Sequence, residues 1–380
     1  MGSPLFYFDF AATTFVSELV SLEMKKTTAQ VWGNASGLHQ AAQKSSAAIS
    51  TARRKIANIL QVATNEIIFT SGGSEANNLS LKGQVISWNQ QGIIPHILSS
   101  KLEHASIVKS LEQLVALGWA TVGWVDCKQN GTPDVDDLEA KITEATKLGC
   151  FMAVSNETGA VFPIKKISGL LKPKGIHLHI DAVQATVTEN LAKLAGFADT
   201  LSLSAHKFYG PKGIGLLYKA QDVELTPLIT GGAQENALRA GTENTPAILG
   251  MAKALDIAQA DLASNKAYFK ALKDPMLIGV KNSFPKAIVL CEATGASHIV
   301  SVLFCPHEAS RILRKLDLKG FQLASGSACS TGNPEPSASI LAMGYTPLEA
   351  KSLVRVSFGL TSTKEEIDML LNALKEVLNG

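Results

Sequence analysis

The chain has 380 residues, 46% of them hydrophobic and 18% charged, with a formal net charge of +2. That length and balance predict a soluble globular protein with a sizeable core, and they supply no surface of the sign that nucleic acid or an anionic membrane requires. No uninterrupted apolar run reaches the roughly 18–20 residues of a membrane span, and MGSPLFYFDF lacks a basic n-region and cleavage site, so a cytoplasmic protein is expected. Phe6 stands where a myristoylation motif needs Ser or Thr.

After FYFDFAATT the pattern predicts a helix over 16–32, a loop GNASGLH, and a longer helix. In the latter Ile49, Ala52, Ile56, Ile59 and Leu60 share one apolar face. A buried strand over 66–70 then runs into Ser71-Gly72-Gly73-Ser74 and a helix from about Glu75. Free amides at a helix N-terminus, glycines that allow close approach and the Ser74 hydroxyl make a candidate phosphate cradle. It is neither a Walker A loop nor a dinucleotide fingerprint.

The strand HILSS leads to Glu103-His104 and a helix to about Leu117. A strand ATVGWVDC, a turn, a helix VDDLEAKIT and a strand CFMAVSNE follow, with Asn156 where that strand gives out. A helix KKISGLL and a buried strand IHLHIDAV place Asp181 at a strand end and Gln184 just beyond. The stretch LSLSAHKFYGPKGIGLLY predicts a strand ending at Lys207, a break at Gly210-Pro211 and a second strand over 214–218. A lysine so placed can form a Schiff base with a carbonyl, and Ser204 and His206 can hold a phosphate. The repeating strand–helix order predicts an α/β fold with a mainly parallel sheet and helices on both faces. In such sheets the ligand crevice lies outside the strand ends. Ser74, His104, Asn156, Asp181, Gln184 and Lys207 all fall there.

Beyond Tyr218 a loop carries Thr242 near the start of a helix that runs to about Lys273, where Asp274-Pro275 is expected to break it near a domain boundary. The remainder alternates short strands (AIVLCE, HIVSVLF, LVRVSFG) with helices as a compact α+β unit. The expected division is a large domain over 15–258 and a small one formed by 1–14 with 259–380. Of five cysteines, Cys127, Cys150, Cys291 and Cys305 lie in apolar, strand-like runs and are expected to pack as small hydrophobes. No ligand or disulfide spacing appears, so no metal site is expected. Cys329 lies instead in SGSACSTGNPEP. Its loop, 325–336, has little apolar surface to hold it down and is expected to be mobile.

The segments DFAATT, TSGGSEANN, LEH, SNETG, DAVQA, SAHKFYGPKGIG, RAGTEN, SGSACSTG and VRVSFG occur in that order nearly end to end. The chain thereby resembles the pyridoxal-phosphate-dependent cysteine desulfurases of the NifS/IscS group, class V aminotransferases of fold type I. The resemblance implies a homodimer that uses pyridoxal 5'-phosphate to convert L-cysteine to L-alanine, leaving a persulfide for a sulfur-acceptor protein in iron–sulfur assembly or thiolation. It implies that Lys207 carries the cofactor and acts as base, that His104 stacks on the ring, and that Cys329 takes the sulfur. Asp181 would pair with the pyridine nitrogen and Gln184 with the phenolic oxygen. Gly73, Ser74, Ser204 and His206 would hold the phosphate, joined by Thr242 from the partner subunit. Asn156, Arg355 and nearby Asn34 would bind the substrate carboxylate, a task suited to the planar fork of arginine. Three positions depart from the family's usual pattern: Phe10 replaces an asparagine, Ser74 a threonine and Ala35 a proline, and Phe10 and Ala35 bear on substrate fit. Alternatives on the same scaffold are a selenocysteine lyase or aminotransferase, and a catalytically silent sulfur-carrier scaffold.

Overall fold

A computed structural model describes residues 5–293, 295–326 and 336–379. In chain order its strands are β1 (Phe6–Tyr7), β2 (Ile67–Thr70), β3 (His96–Ser100), β4 (Thr121–Val125), β5 (Thr146–Met152) and β6 (His177–Asp181). They continue as β7 (Thr200–Ser204), β8 (Gly215–Lys219), β9 (Ile288–Leu290), β10 (Ile299–Leu303), β11 (Phe321–Gln322) and β12 (Leu353–Ser357). The central sheet has seven strands in the order β2-β8-β7-β6-β5-β3-β4. Only β8 runs against its neighbours, as the return strand of a hairpin with β7. The other pairings are parallel. The chain steps outward from β3 to β4 and then returns to the other side of β3 with β5. That reversal is a topological switch point, where an open α/β sheet leaves a crevice.

Parallel strands buried on both faces read as continuous apolar runs, and β5, β6 and β7 are buried almost throughout. The helix Gln40–Leu60 buries Ile49, Ala52, Ile56 and Leu60 on the face that also carries Ala42 and Ser45, packing chiefly against the helices Thr245–Ala260 and Leu191–Phe197, although Ile59 is only half-buried. The helix Gly73–Gln90 is buried on several sides and carries polar residues inward: Asn77, Ser80 and Gln84 are all at most 1% exposed.

A second, antiparallel sheet, β12-β10-β9, forms late in the chain, and β1 pairs with β11 in parallel. The first described segment therefore belongs with the last: the Ala11 amide donates to Ser357 Oγ (2.9 Å), and the Ser357 amide to the Phe8 carbonyl (2.8 Å).

Two expectations need correction. The helix that starts at Thr245 ends at Ala260, and a new one, Leu262–Ser283, runs straight through Pro275. Proline forfeits one intrahelical N–H bond, but buried Phe269, Leu272, Met276, Leu277 and Val280 on either side tie that helix to the core. Packing overrides the local breaker. Cys150 and Cys291 are buried as expected, whereas Cys127 and Cys305 are only half-buried. Of the loop 325–336, Cys329 lies outside the described residues, and so does the expectation of mobility.

Candidate active site

The C-terminal ends of β2, β3, β5, β6 and β7 open into one cavity of about 480 Å³. Its walls include Gly73, Ser74, His104, Asn156, Asp181, Gln184, Ser204, His206, Lys207 and Arg355, ten of the residues singled out from the sequence. Lys207 ends the short helical turn after β7. Its Nζ donates to the carbonyls of Ala11 and Ala12, each at 2.7 Å. Burial, aided by the Arg355 guanidinium and opposed by Asp9 and Asp181, pushes the Lys207 ammonium down to about 8. Some free amine is thus present near neutral pH, which Schiff-base chemistry requires. Lys212 is exposed and lines a neighbouring hollow, not this cavity.

Asp181 closes β6 and is buried. Its Oδ1 accepts from the Val183 amide at 3.0 Å and its Oδ2 from Asn77 Nδ2 at 2.8 Å. Gln184 Nε2 donates to the Ala11 carbonyl (2.6 Å), the same oxygen that holds Lys207. His104 caps the helix Ala105–Ala116: its Nδ1 accepts from the Ser106 amide (3.1 Å) and lies 2.7 Å from Ser106 Oγ. The His206 imidazole is pushed down to about 4 by burial, with the Lys207 and Lys212 ammonium groups adding to it, so it stays neutral. Its Nδ1 is 3.1 Å from Thr13 Oγ1.

The helix Gly73–Gln90 begins with no side-chain cap on its first amides. Orphan amides and the positive end of the helix dipole favour an anion there. Gly73 leaves the space: a Cβ at that position would come within 2.8 Å of Val183 Cγ2. Ser204 and His206 also face the hollow in front of this helix start.

Arg355, 4% exposed, donates from Nη2 to Asp9 Oδ1 and from Nη1 to the Asn156 carbonyl, both at 2.7 Å. Its Nε is buried with no partner among the described residues. Beside it, burial raises the Glu157 carboxyl against the opposing donation from Ser337 Oγ. Asp9, Asn77 and Glu157 received no role from the sequence, although each stands inside a motif noted there. Phe10 is buried against Tyr7 and Phe15 and is not among the residues lining the cavity.

Thr242 and Asn34 do not reach the cavity. Both are exposed and together line a separate hollow with Trp32 and Asn244.

An uncapped helix start for a phosphate, a buried lysine of lowered basicity and a buried carboxylate around one cavity suit pyridoxal phosphate in each of its functional groups. They define a pyridoxal-phosphate enzyme of the α/β, fold-type-I class. The model of the class-V aminotransferases matches residues 6–370. A cysteine desulfurase IscS of Dictyoglomus turgidum is 35% identical over 376 residues, spanning 98% of this chain and 94% of that protein. A solved NifS-like protein superposes with a TM-score of 0.91 at 30% identity, covering 99% of both chains. A structure of SspA in complex with cysteine gives 0.80 at 31% identity, covering 93% of this chain and 98% of that one. The chain belongs to the class-V aminotransferase family, in its NifS/IscS group.

Proposed function

We propose that this protein is a cysteine desulfurase: it takes L-cysteine to L-alanine and leaves the sulfur as a persulfide on Cys329. The observation that carries this reading is the convergence of Lys207, Asp181 and Arg355 on one cavity whose wall also includes Ser325 and Gly326, four and three residues before Cys329 in the sequence. Bound pyridoxal phosphate supplies the electron sink that acidifies the substrate Cα–H and makes its sulfur electrophilic.

The chain's own groups do the rest. Arg355 would hold the substrate carboxylate through its guanidinium, with Asn156 alongside. Lys207 would accept the Cα proton of the substrate, and its lowered basicity suits a base near neutral pH. Asp181 would hold the ring nitrogen of the cofactor, Gln184 its phenolic oxygen and His104 its ring. Ser74, Ser204, His206 and the amides at Gly73 would hold its phosphate. The Cys329 thiolate attacks the substrate sulfur; the Cβ–S bond breaks, an S–S bond forms, and the alanine carbons take up protons. The persulfide then passes to an acceptor protein.

The same reading includes a homodimer in which Thr242 completes the partner's phosphate site. Its support is that Thr242 and Asn34 lie away from their own cavity, in a hollow they share with exposed Trp32, and that Phe15, Leu19, Leu22 and Leu38 of the same N-terminal stretch are exposed as well. It also includes the division into a large domain, 15–258, and a small one, 1–14 with 259–380. The separate sheets and the pairing of residues 6–11 with β11 and Ser357 favour it. Among the described residues no helix is long and apolar enough to cross a membrane.

The test of the activity is Cys329→Ser. It should keep the visible absorption of bound cofactor and its spectral response to L-cysteine, yet form neither alanine nor protein-bound persulfide above background. Desulfuration near the wild-type rate would place the nucleophile elsewhere. For the shared site, Lys207→Ala chains are mixed with Thr242→Arg chains. Hybrid dimers should carry both lesions in one site and none in the other, so activity reappears; subunit exchange without recovery refutes the arrangement.

A further inference from the structure

The polar residues inside the helix Gly73–Gln90 lie at positions 77, 80 and 84, on one face, and they form a chain of hydrogen bonds whose direction can be worked out. A carboxylate can only accept, so the Asn77 amide must turn its NH2 toward Asp181 Oδ2 (2.8 Å). The second hydrogen of that NH2 goes to Ser106 Oγ (2.9 Å). Asn77 Oδ1 then faces His179 Nε2 at 3.0 Å, which must carry the proton. Burial pushes His179 down to about 4, so the ring is neutral and its Nδ1 is bare. That nitrogen takes the hydrogen of Thr200 Oγ1 (2.9 Å), leaving Thr200 to accept from Ser80 Oγ (2.7 Å). Gln84 Nε2 donates to Ser80, and Gln84 Oε1 meets His177 Nδ1 at 2.8 Å. At the other end, Ser106 Oγ has accepted from Asn77, so its own hydrogen points to His104 Nδ1. With two donors on Nδ1, the His104 proton sits on Nε2.

Every donor in the chain points toward the cavity, and hydrogen bonds in series polarise one another. A network that only satisfied buried atoms could end anywhere; this one ends on two residues of the cavity wall.

We propose that Asn77 is a positioning residue for the desulfurase reaction: one amide fixes the Asp181 carboxylate and, through Ser106, the tautomer of His104. The proposal rests on the reading that Asp181 meets the ring nitrogen of pyridoxal phosphate. Donors to a carboxylate favour its anionic form, and an anion beside the ring nitrogen keeps that nitrogen protonated. The charged or titratable groups whose fields reach Asp181 are Lys207, His179 and Glu103. Asn77→Leu removes the donor and keeps each of these groups in the chain, while taking from His179 Nε2 its acceptor.

The test uses holoenzyme reconstituted with pyridoxal phosphate labelled at the ring nitrogen, followed by NMR as pH is raised. Asn77→Leu should lose the ring proton about one pH unit below wild type, equivalent to about 1.4 kcal/mol. Cofactor affinity, from equilibrium dialysis, should fall about tenfold. His179→Phe, which orphans Asn77 Oδ1, should move the midpoint the same way. His179→Gln, which keeps a donor for Asn77 and an acceptor for Thr200, should restore it. Melting of the cofactor-free proteins reads any purely structural loss separately, and if Asn77→Leu does not fold, the two His179 variants decide. A wild-type midpoint in Asn77→Leu, or equal shifts in His179→Gln and His179→Phe, overturns the proposal. If Asp181→Asn also leaves the midpoint unmoved, the pairing of Asp181 with the ring falls as well; if Asp181→Asn moves it, only the role of Asn77 falls.

Discussion

Replacing Lys207 by methionine in the cofactor-free protein should change how stability depends on pH, in a calculable way. Burial pushes the ammonium down to about 8 in the folded chain, against 10.5 for a lysine in water. That gap corresponds to about 3 kcal/mol. Below pH 8 both folded and unfolded chains hold the proton, and wild type bears the whole penalty of a buried charge. Between pH 8 and 10.5 the folded chain sheds its proton while the unfolded chain keeps it, so wild-type stability rises with pH. Lys207→Met lacks this rise. Losing the two bonds to the Ala11 and Ala12 carbonyls adds an offset, but one that does not vary with pH over this window. Urea unfolding of both proteins at one protein concentration, repeated across these pH values, gives the difference directly. Wild type should gain roughly 3 kcal/mol on the variant between the two limits. Parallel curves would show that Lys207 titrates normally, and the argument for a nucleophilic amine near neutral pH would go with them.

Other consequences are equally accessible. Gly73→Ala should weaken pyridoxal phosphate binding about tenfold or more, since its Cβ would crowd Val183 Cγ2; overpacking typically costs about 1–3 kcal/mol, and Val183→Ala should recover most of it in a binding titration. His298 is buried with neither ring nitrogen partnered among the described residues, and burial pushes it down to about 3. Its folded value lies below the 6.5 of a histidine in water, so it makes wild type lose stability as pH falls from about 6.5 toward 3. His298→Leu should flatten that part of the acid-unfolding curve. Glu235 accepts from both Nη atoms of Arg53 and from the Phe69 amide. Glu235→Ala strands a largely buried guanidinium and should cost about 3–5 kcal/mol in urea unfolding.

Much of the site was legible because a parallel sheet puts its functional residues at strand ends, and strands are readable one at a time. His104, Asn156, Asp181, Gln184 and Lys207 each stand at or just past the end of a strand recognisable from its apolar run, and the cavity gathers them. What stayed hidden depends on contacts between distant segments. The acceptors of Lys207 are backbone carbonyls of Ala11 and Ala12, which leave no mark in a side-chain pattern. Asp9 stands in a quoted motif, but its partner Arg355 is 346 residues away. Asn77 sits on a helix whose inward face is polar, where an apolar-periodicity test finds nothing to count. Pro275 shows the opposite failure: a strong local signal that five buried neighbours on its helix outweigh.

The pairing of residues 6–11 with β11 and β12 also sets a clock. At about 5–20 residues per second, the 346 residues between Asp9 and Arg355 take a ribosome roughly 17–70 s to make. Until β11 and β12 are made, the segment that carries the lysine-binding carbonyls of Ala11 and Ala12 can dock only on the large sheet, through Gln184, His206 and Tyr209. The seven-stranded sheet, complete at Lys219, can form well before then, but its crevice lacks one wall. The expected outcome is that pyridoxal phosphate is held by the finished chain and not by the nascent one: a chain arrested before β12 should fold its large sheet yet release the cofactor on gel filtration.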